Sequence, residues 1–283
     1  MRLEQNRYIA LDVFRGLTIA LMILVNTPGN WSYIYAPLRH AKWHGLTPTD
    51  LVFPFFLFII GTAMVFSFSR FDFCRTKEVY IKILKRTVII FLIGIAIHLF
   101  STIRRGADLE SFRIMGVLQR IALAYGIAAV LVLRFKIQHL WIIVIATLVG
   151  YWQLLSWMGG YALETNFVRA FDLAVLGENH LWKGNGLPFD PEGLLSTLPS
   201  IMTIILGFFA GVMIHTASDQ NDNVTCWKEL YNECLLDEAD RDSSVSCPSG
   251  ELSLVSLDEQ VTSVSDLVSI SSGLPDGNSF TAG

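Results

Sequence analysis

The chain has 283 residues, 52% of them hydrophobic and only 16% charged, with a mean hydropathy of +0.48. Soluble domains carry about 25% charged residues, so the composition argues against an ordinary soluble enzyme and for a membrane protein. The net charge of −4 hides a break near Thr216: 12 acidic and 19 basic residues precede it, whereas 13 acidic and 2 basic residues follow.

A helix needs roughly 20 mostly apolar residues to span a bilayer. Six segments qualify, at about residues 9–26, 51–69, 87–103, 114–133, 138–157 and 194–214. The expected fold is all-α, a polytopic transmembrane bundle of about six helices over residues 1–216. A disordered, acidic, Ser-rich tail is expected over 217–283, because that composition cannot bury enough apolar surface to order itself. The first segment holds Asp12 and Arg15, three apart and hence on one face, where they can pair. They either snorkel to the interface or face the bundle and brace a site. No small-residue cleavage site follows this run, so it is expected to persist as a transmembrane helix.

Between the first two segments lies the densest chemistry, VNTPGNWSYIYAPLRHAKWHGLTPTDLVFP over residues 25–54. His40 is the prime candidate, since an imidazole serves near neutrality as general base or covalent nucleophile. His44 lies four residues on, but no third ligand stands at recognisable spacing, so no metal site is expected. Asn26 ends the first helix, as a cap or as a group that polarises a substrate carbonyl or orients the imidazole. Asp50 precedes the second apolar run, where an N-cap is the default reading. Trp31, Tyr33, Tyr35 and Trp43 suit an interfacial aromatic belt or a sugar-stacking surface.

Further along, RIMGVLQRIALAYG carries Arg113 and Arg120. An arginine inside an apolar segment is costly and a functional candidate, binding cofactor phosphates or pairing with Asp12. The 35-residue stretch from Gly159 to Gly193 is rich in Gly, Pro and Asn, which predicts ordered turns rather than a helix. It is either a substrate rim or a loop packed on the bundle. Asp190-Pro191-Glu192 then places acids at the positive end of the sixth helix. Basic residues of the short loops put the N-terminus and the tail in the cytoplasm and His40 on the opposite face. The four cysteines (Cys74, Cys226, Cys234, Cys247) form no CxxC, and there is no P-loop or GxGxxG.

Taken together, LDVFRGLTIALMILVN, HAKWHGLTPTDLVFPFFLFIIG, RIMGVLQRIALAYG, LGENHLWKG and FDPEGLLSTLPSI resemble the heparan-α-glucosaminide N-acetyltransferase family and its bacterial relatives, over about residues 8–215. The resemblance implies a multi-pass acyltransferase that uses acetyl-CoA and an amino-sugar acceptor. It makes His40 the active histidine and Asn26 its helix-end partner. Asp50, Asp12, Arg15 and Arg120 are expected in support, with Trp43, Arg113, Asp190 and Glu192 as substrate or cofactor-binding groups. Family members continue with further helices beyond the sixth segment, so the chain is expected to lack them. The competing expectations are a sugar transporter or permease component and an inactive truncated fragment. The partners expected are acetyl-CoA, an amino-sugar or glycan acceptor, membrane lipid and a second copy in a homodimer, with no nucleic acid. A bacterial cytoplasmic membrane is the expected location.

Overall fold

The computed structural model describes residues 9–30, 33–41, 43–69, 71, 73, 75–104, 106, 112–182 and 187–218. Among them the secondary structure is entirely helical: α1 (Ile9–Asn26), α2 (Val52–Ser69), α3 (Lys77–Arg104), α4 (Val117–Arg134), α5 (Ile137–Trp157), α6 (Phe167–Leu176) and α7 (Thr197–Ser218), with short 3₁₀ turns between. All but α6 are long and apolar enough to cross a membrane. The protein is a multi-pass membrane protein of the expected class. Beyond Ser218 the expected tail lies outside the described residues.

Two expectations need correction. The third helix begins at Lys77, not near residue 87. Its first ten residues, KEVYIKILKR, are too charged to read as a span, yet they are amphipathic: Val79 and Ile83 are buried, Lys82 lies over the Phe71 ring at 4.7 Å and Arg86 over Tyr125 at 4.9 Å. The helix is also opened by Thr76, whose hydroxyl accepts from the Val79 N–H, with Glu78 in the first turn. Secondly, the 159–193 stretch contains a real helix, α6. Its glycines and prolines fall outside ten good helix residues, FVRAFDLAVL. Asn166 caps the start by accepting from the Val168 N–H at 2.8 Å, and Gly177 at φ +80° ends it.

The described residues form two compact units, one up to Val52 and one from Phe53 onward. The first holds α1 and the loop with His40. In the second, the core is built from α2 (Leu57, Val65), α4 (Ala124, Ala128, Val132), α5 (Leu140, Val144) and α7 (Ile204, Phe208), all buried. Lipid is as apolar as these side chains, so close backbone approach replaces hydrophobic exclusion as the force between helices. A Cβ on Gly61 would lie 1.9 Å from the Ile204 carbonyl oxygen, and one on Gly207 would lie 2.1 Å from that of Phe58. Thr62 spans the contact by donating to the Gly207 carbonyl at 3.0 Å.

Candidate active site

The loop after α1 folds back on itself through Pro- and Gly-directed turns, and Thr47-Pro48-Thr49-Asp50 starts the 3₁₀ turn that leads into α2. This is a capping box. The Asp50 carboxylate reaches back, its Oδ2 accepting from the Thr47 N–H at 3.0 Å, the Thr47 hydroxyl at 2.9 Å and the Ala41 N–H at 3.4 Å. The N-cap is therefore Thr47, and Asp50 sits three residues inside, where its second oxygen is available. That oxygen, Oδ1, lies 2.7 Å from His40 Nδ1.

A carboxylate can only accept, so Nδ1 carries the hydrogen and the neutral ring presents Nε2 as its lone-pair nitrogen. The His40 side chain is 62% exposed and Asp50 24%, so the reactive nitrogen is reachable while its orienting partner is sheltered. An imidazole in this state can accept a proton or attack a carbonyl, and the carboxylate behind it stabilises the cation formed in either event.

The other predicted residues of this unit stand in simpler settings. Asn26 donates to the Met22 carbonyl at 2.9 Å, closing the last turn of α1; a primary amide has a second N–H and a carbonyl oxygen beyond that bond. Asp12 and Arg15 are half-buried on the first turns of α1. The Trp43 indole meets the His44 ring edge-on with centroids 6.4 Å apart.

In the second unit the predicted residues form a clamp on the chain leading into α7, and Asp190 and Glu192 do not sit at that helix's start as expected, since it begins at Thr197 with no acid in its first turn. Arg113 donates from Nε to Asp190 Oδ2 at 2.9 Å and from Nη2 to Oδ1 at 2.6 Å, a bidentate fork, and Nη2 also donates to Glu192 Oε2. The Asp190 carboxylate is fully buried. Burial alone would lower the Arg113 pKa, but the two carboxylates outweigh it and raise it. Arg120 donates to Ser200 Oγ at 2.9 Å and to the carbonyls of Pro191 at 3.1 Å and Ser196 at 2.6 Å, with its guanidinium over the Phe53 ring at 5.2 Å. Both arginines are thus spent largely on their own chain, and Glu192 is the more exposed of the two acids that Arg113 holds.

Three residues that sequence reasoning passed over complete the clamp. Asp172 of α6 is buried, and its Oδ1 accepts from the N–H groups of Leu194 and Leu195 at 3.0 and 3.4 Å, just ahead of α7. Burial pushes its carboxyl up to about 6, against the lowering effect of those two bonds. His98 and His180 donate through Nδ1 to the successive carbonyls of Arg113 (3.1 Å) and Phe112 (2.7 Å). No spacing in sequence announces a bond to a backbone carbonyl. Among the described residues no group of three potential metal ligands is brought together.

Residues 7–235 match the family described as heparan-alpha-glucosaminide N-acetyltransferase, catalytic. The chain is 30% identical to the heparan-alpha-glucosaminide N-acetyltransferase of Mus musculus, a similarity covering 77% of this chain and 40% of that protein. It is also 30% identical to the Homo sapiens protein of the same name, over 72% of this chain and 38% of that one. The chain spans about two-fifths of the length of these curated relatives.

Proposed function

Because this chain belongs to the heparan-alpha-glucosaminide N-acetyltransferase catalytic family, we propose that it is an integral membrane acyltransferase moving acetyl from acetyl-CoA to the amine of an amino sugar. The observation that carries this reading is the His40–Asp50 pair, with Nδ1 held at 2.7 Å and the ring exposed.

Two routes use the same geometry. In the first, His40 Nε2 attacks the thioester carbonyl, the CoA thiolate leaves, and the acetyl group rests on the ring while Asp50 faces the positive charge. The unprotonated sugar amine then attacks the acetyl carbon, the bond to Nε2 breaks, and the amine gives up its proton. In the second, the amine attacks the thioester directly and His40 Nε2 takes that proton. Either way an amide and CoA thiol are formed, and one proton is released when the acceptor starts as an ammonium. Asn26 would polarise the carbonyl or steady the ring. Asp12, Arg15 and Arg120 would act as supports, and Trp43, Arg113, Asp190 and Glu192 as binding groups, with Glu192 the acid best placed to meet a ligand.

The test is acetyl transfer from acetyl-CoA to glucosamine by membranes carrying the chain. Parent activity that falls to background in His40→Ala, with equal amounts inserted, is the expected result. Activity surviving in His40→Ala would overturn the assignment. A radiolabelled acetyl group trapped on the peptide containing His40 when acceptor is withheld would select the covalent route.

A further inference from the structure

Along the contact between α3 and the start of α4, polar and glycine residues face one another. A Cβ on Gly94 would lie 2.7 Å from Gln119 Oε1, and one on Gly116 would lie 2.7 Å from His98 Nε2 and 3.1 Å from Gln119 Oε1. The two glycines therefore let a glutamine amide and an imidazole come together against bare backbone. Gln119 is wholly buried, and neither Oε1 nor Nε2 has a hydrogen-bond partner among the described residues.

An unpaired primary amide in such a place is strongly unfavourable, because hydrocarbon offers no substitute for water. A methionine would fill the same space without the penalty. The His98 tautomer sharpens the point. Its Nδ1 faces the Arg113 carbonyl at 3.1 Å, and a carbonyl only accepts, so the neutral ring turns Nε2 toward Gln119 as an acceptor.

We propose that His98, Gln119, Gly94 and Gly116 form an internal binding site for one water molecule. The polar atoms offered are two acceptors, His98 Nε2 and Gln119 Oε1, and the Gln119 Nε2 amide nitrogen with its two N–H donors, of which one water takes one. The occupant must donate twice and accept at least once, and water is the smallest neutral molecule that does so. No charged group is among these atoms, which disfavours an ion. The bound water joins the Gln119 amide to the His98 ring, and the ring passes the link to the Arg113 backbone. The site thereby braces the residue whose guanidinium grips Asp190 and Glu192. This inference is independent of the proposed reaction.

The test compares the thermal midpoint of the full chain in detergent with that of Gln119→Met, which keeps the unbranched shape and removes both polar atoms. With a bound water the variant loses the amide that holds it, so the midpoint falls. In a dry contact the variant removes two unsatisfied atoms from the interior, so the midpoint is unchanged or rises; that result overturns the proposal. The deciding measurement is an experimental map of the parent at a resolution that shows ordered waters elsewhere in the bundle. A water within hydrogen-bond reach of the Gln119 amide and His98 Nε2 supports the site. An empty contact, or the amide bonded directly to the ring, overturns it even if the methionine variant is less stable or fails to insert.

Discussion

At His40 the chemistry depends on which ring nitrogen is left with its lone pair, and Asp50 decides it. Asp50→Asn keeps the shape but removes the charge and allows the ring to turn to the wrong tautomer. By comparison with histidine–aspartate pairs in hydrolases, kcat is expected to fall on the order of 10²–10⁴-fold, with KM for the acceptor little changed. Steady-state kinetics on membranes check this, and a parental kcat in the variant would remove Asp50 from the mechanism. Both residues were legible in the sequence, but their meeting was not, since ten positions of aperiodic loop separate them. The signal that could have joined them was the T-x-x-D capping box from Thr47 to Asp50, which turns the carboxylate back toward the chain before it. His98 and His180 gave no such signal.

The spanning helices were the most legible elements, because an apolar run of fixed length is a direct consequence of bilayer thickness. The early start of α3 and the whole of α6 were missed where charge or flanking glycine masked good helix residues. α6 matters because it carries Asp172 to the turn before α7. This carboxyl has its pKa raised in the fold from 3.8 to about 6, so the folded protein holds its proton more tightly than the unfolded chain does. Its contribution to stability is complete below pH 4, declines as pH rises through 6, and is then lost, at a cost of at most about 3 kcal/mol. Asp172→Asn retains the acceptor oxygen for Leu194 and Leu195 and cannot ionise. The variant should therefore gain in thermal midpoint over the parent at pH 7.5, with the gain shrinking toward pH 4.5. A larger loss at pH 7.5 than at pH 4.5 would show instead that the ionised carboxylate is the form the turn requires.

For the whole molecule the sequence separates a basic body from an acidic tail, and the basic residues of the short loops predict which way the body is inserted. Tyr35 is 81% exposed on the loop that holds His40, and a cysteine there, in a background stripped of the natural four, reports that loop's side of the membrane. Labelling of intact cells by a membrane-impermeant maleimide is the expected outcome. Labelling only after permeabilisation would place His40 on the cytoplasmic side and reverse the assignment. The family, too, was legible at this scale, since its motifs are scattered over five separate stretches and the match runs over residues 7–235. The clamp before α7 was not, because the residues that join distant segments there, such as Arg113 and Asp190, carry no periodic mark.

The Asp50 carboxylate serves two masters: one oxygen holds the entry to α2 through Thr47, the other holds the His40 ring. Selection therefore acts on these partners unequally. A descendant that had abandoned the reaction would be free to drift at His40, whose exposed ring carries little of the fold, while folding alone would still hold Asp50 in place. Lineages that keep the aspartate but have replaced the histidine would be the expected footprint of lost catalysis, and the reverse combination should be the rarer of the two.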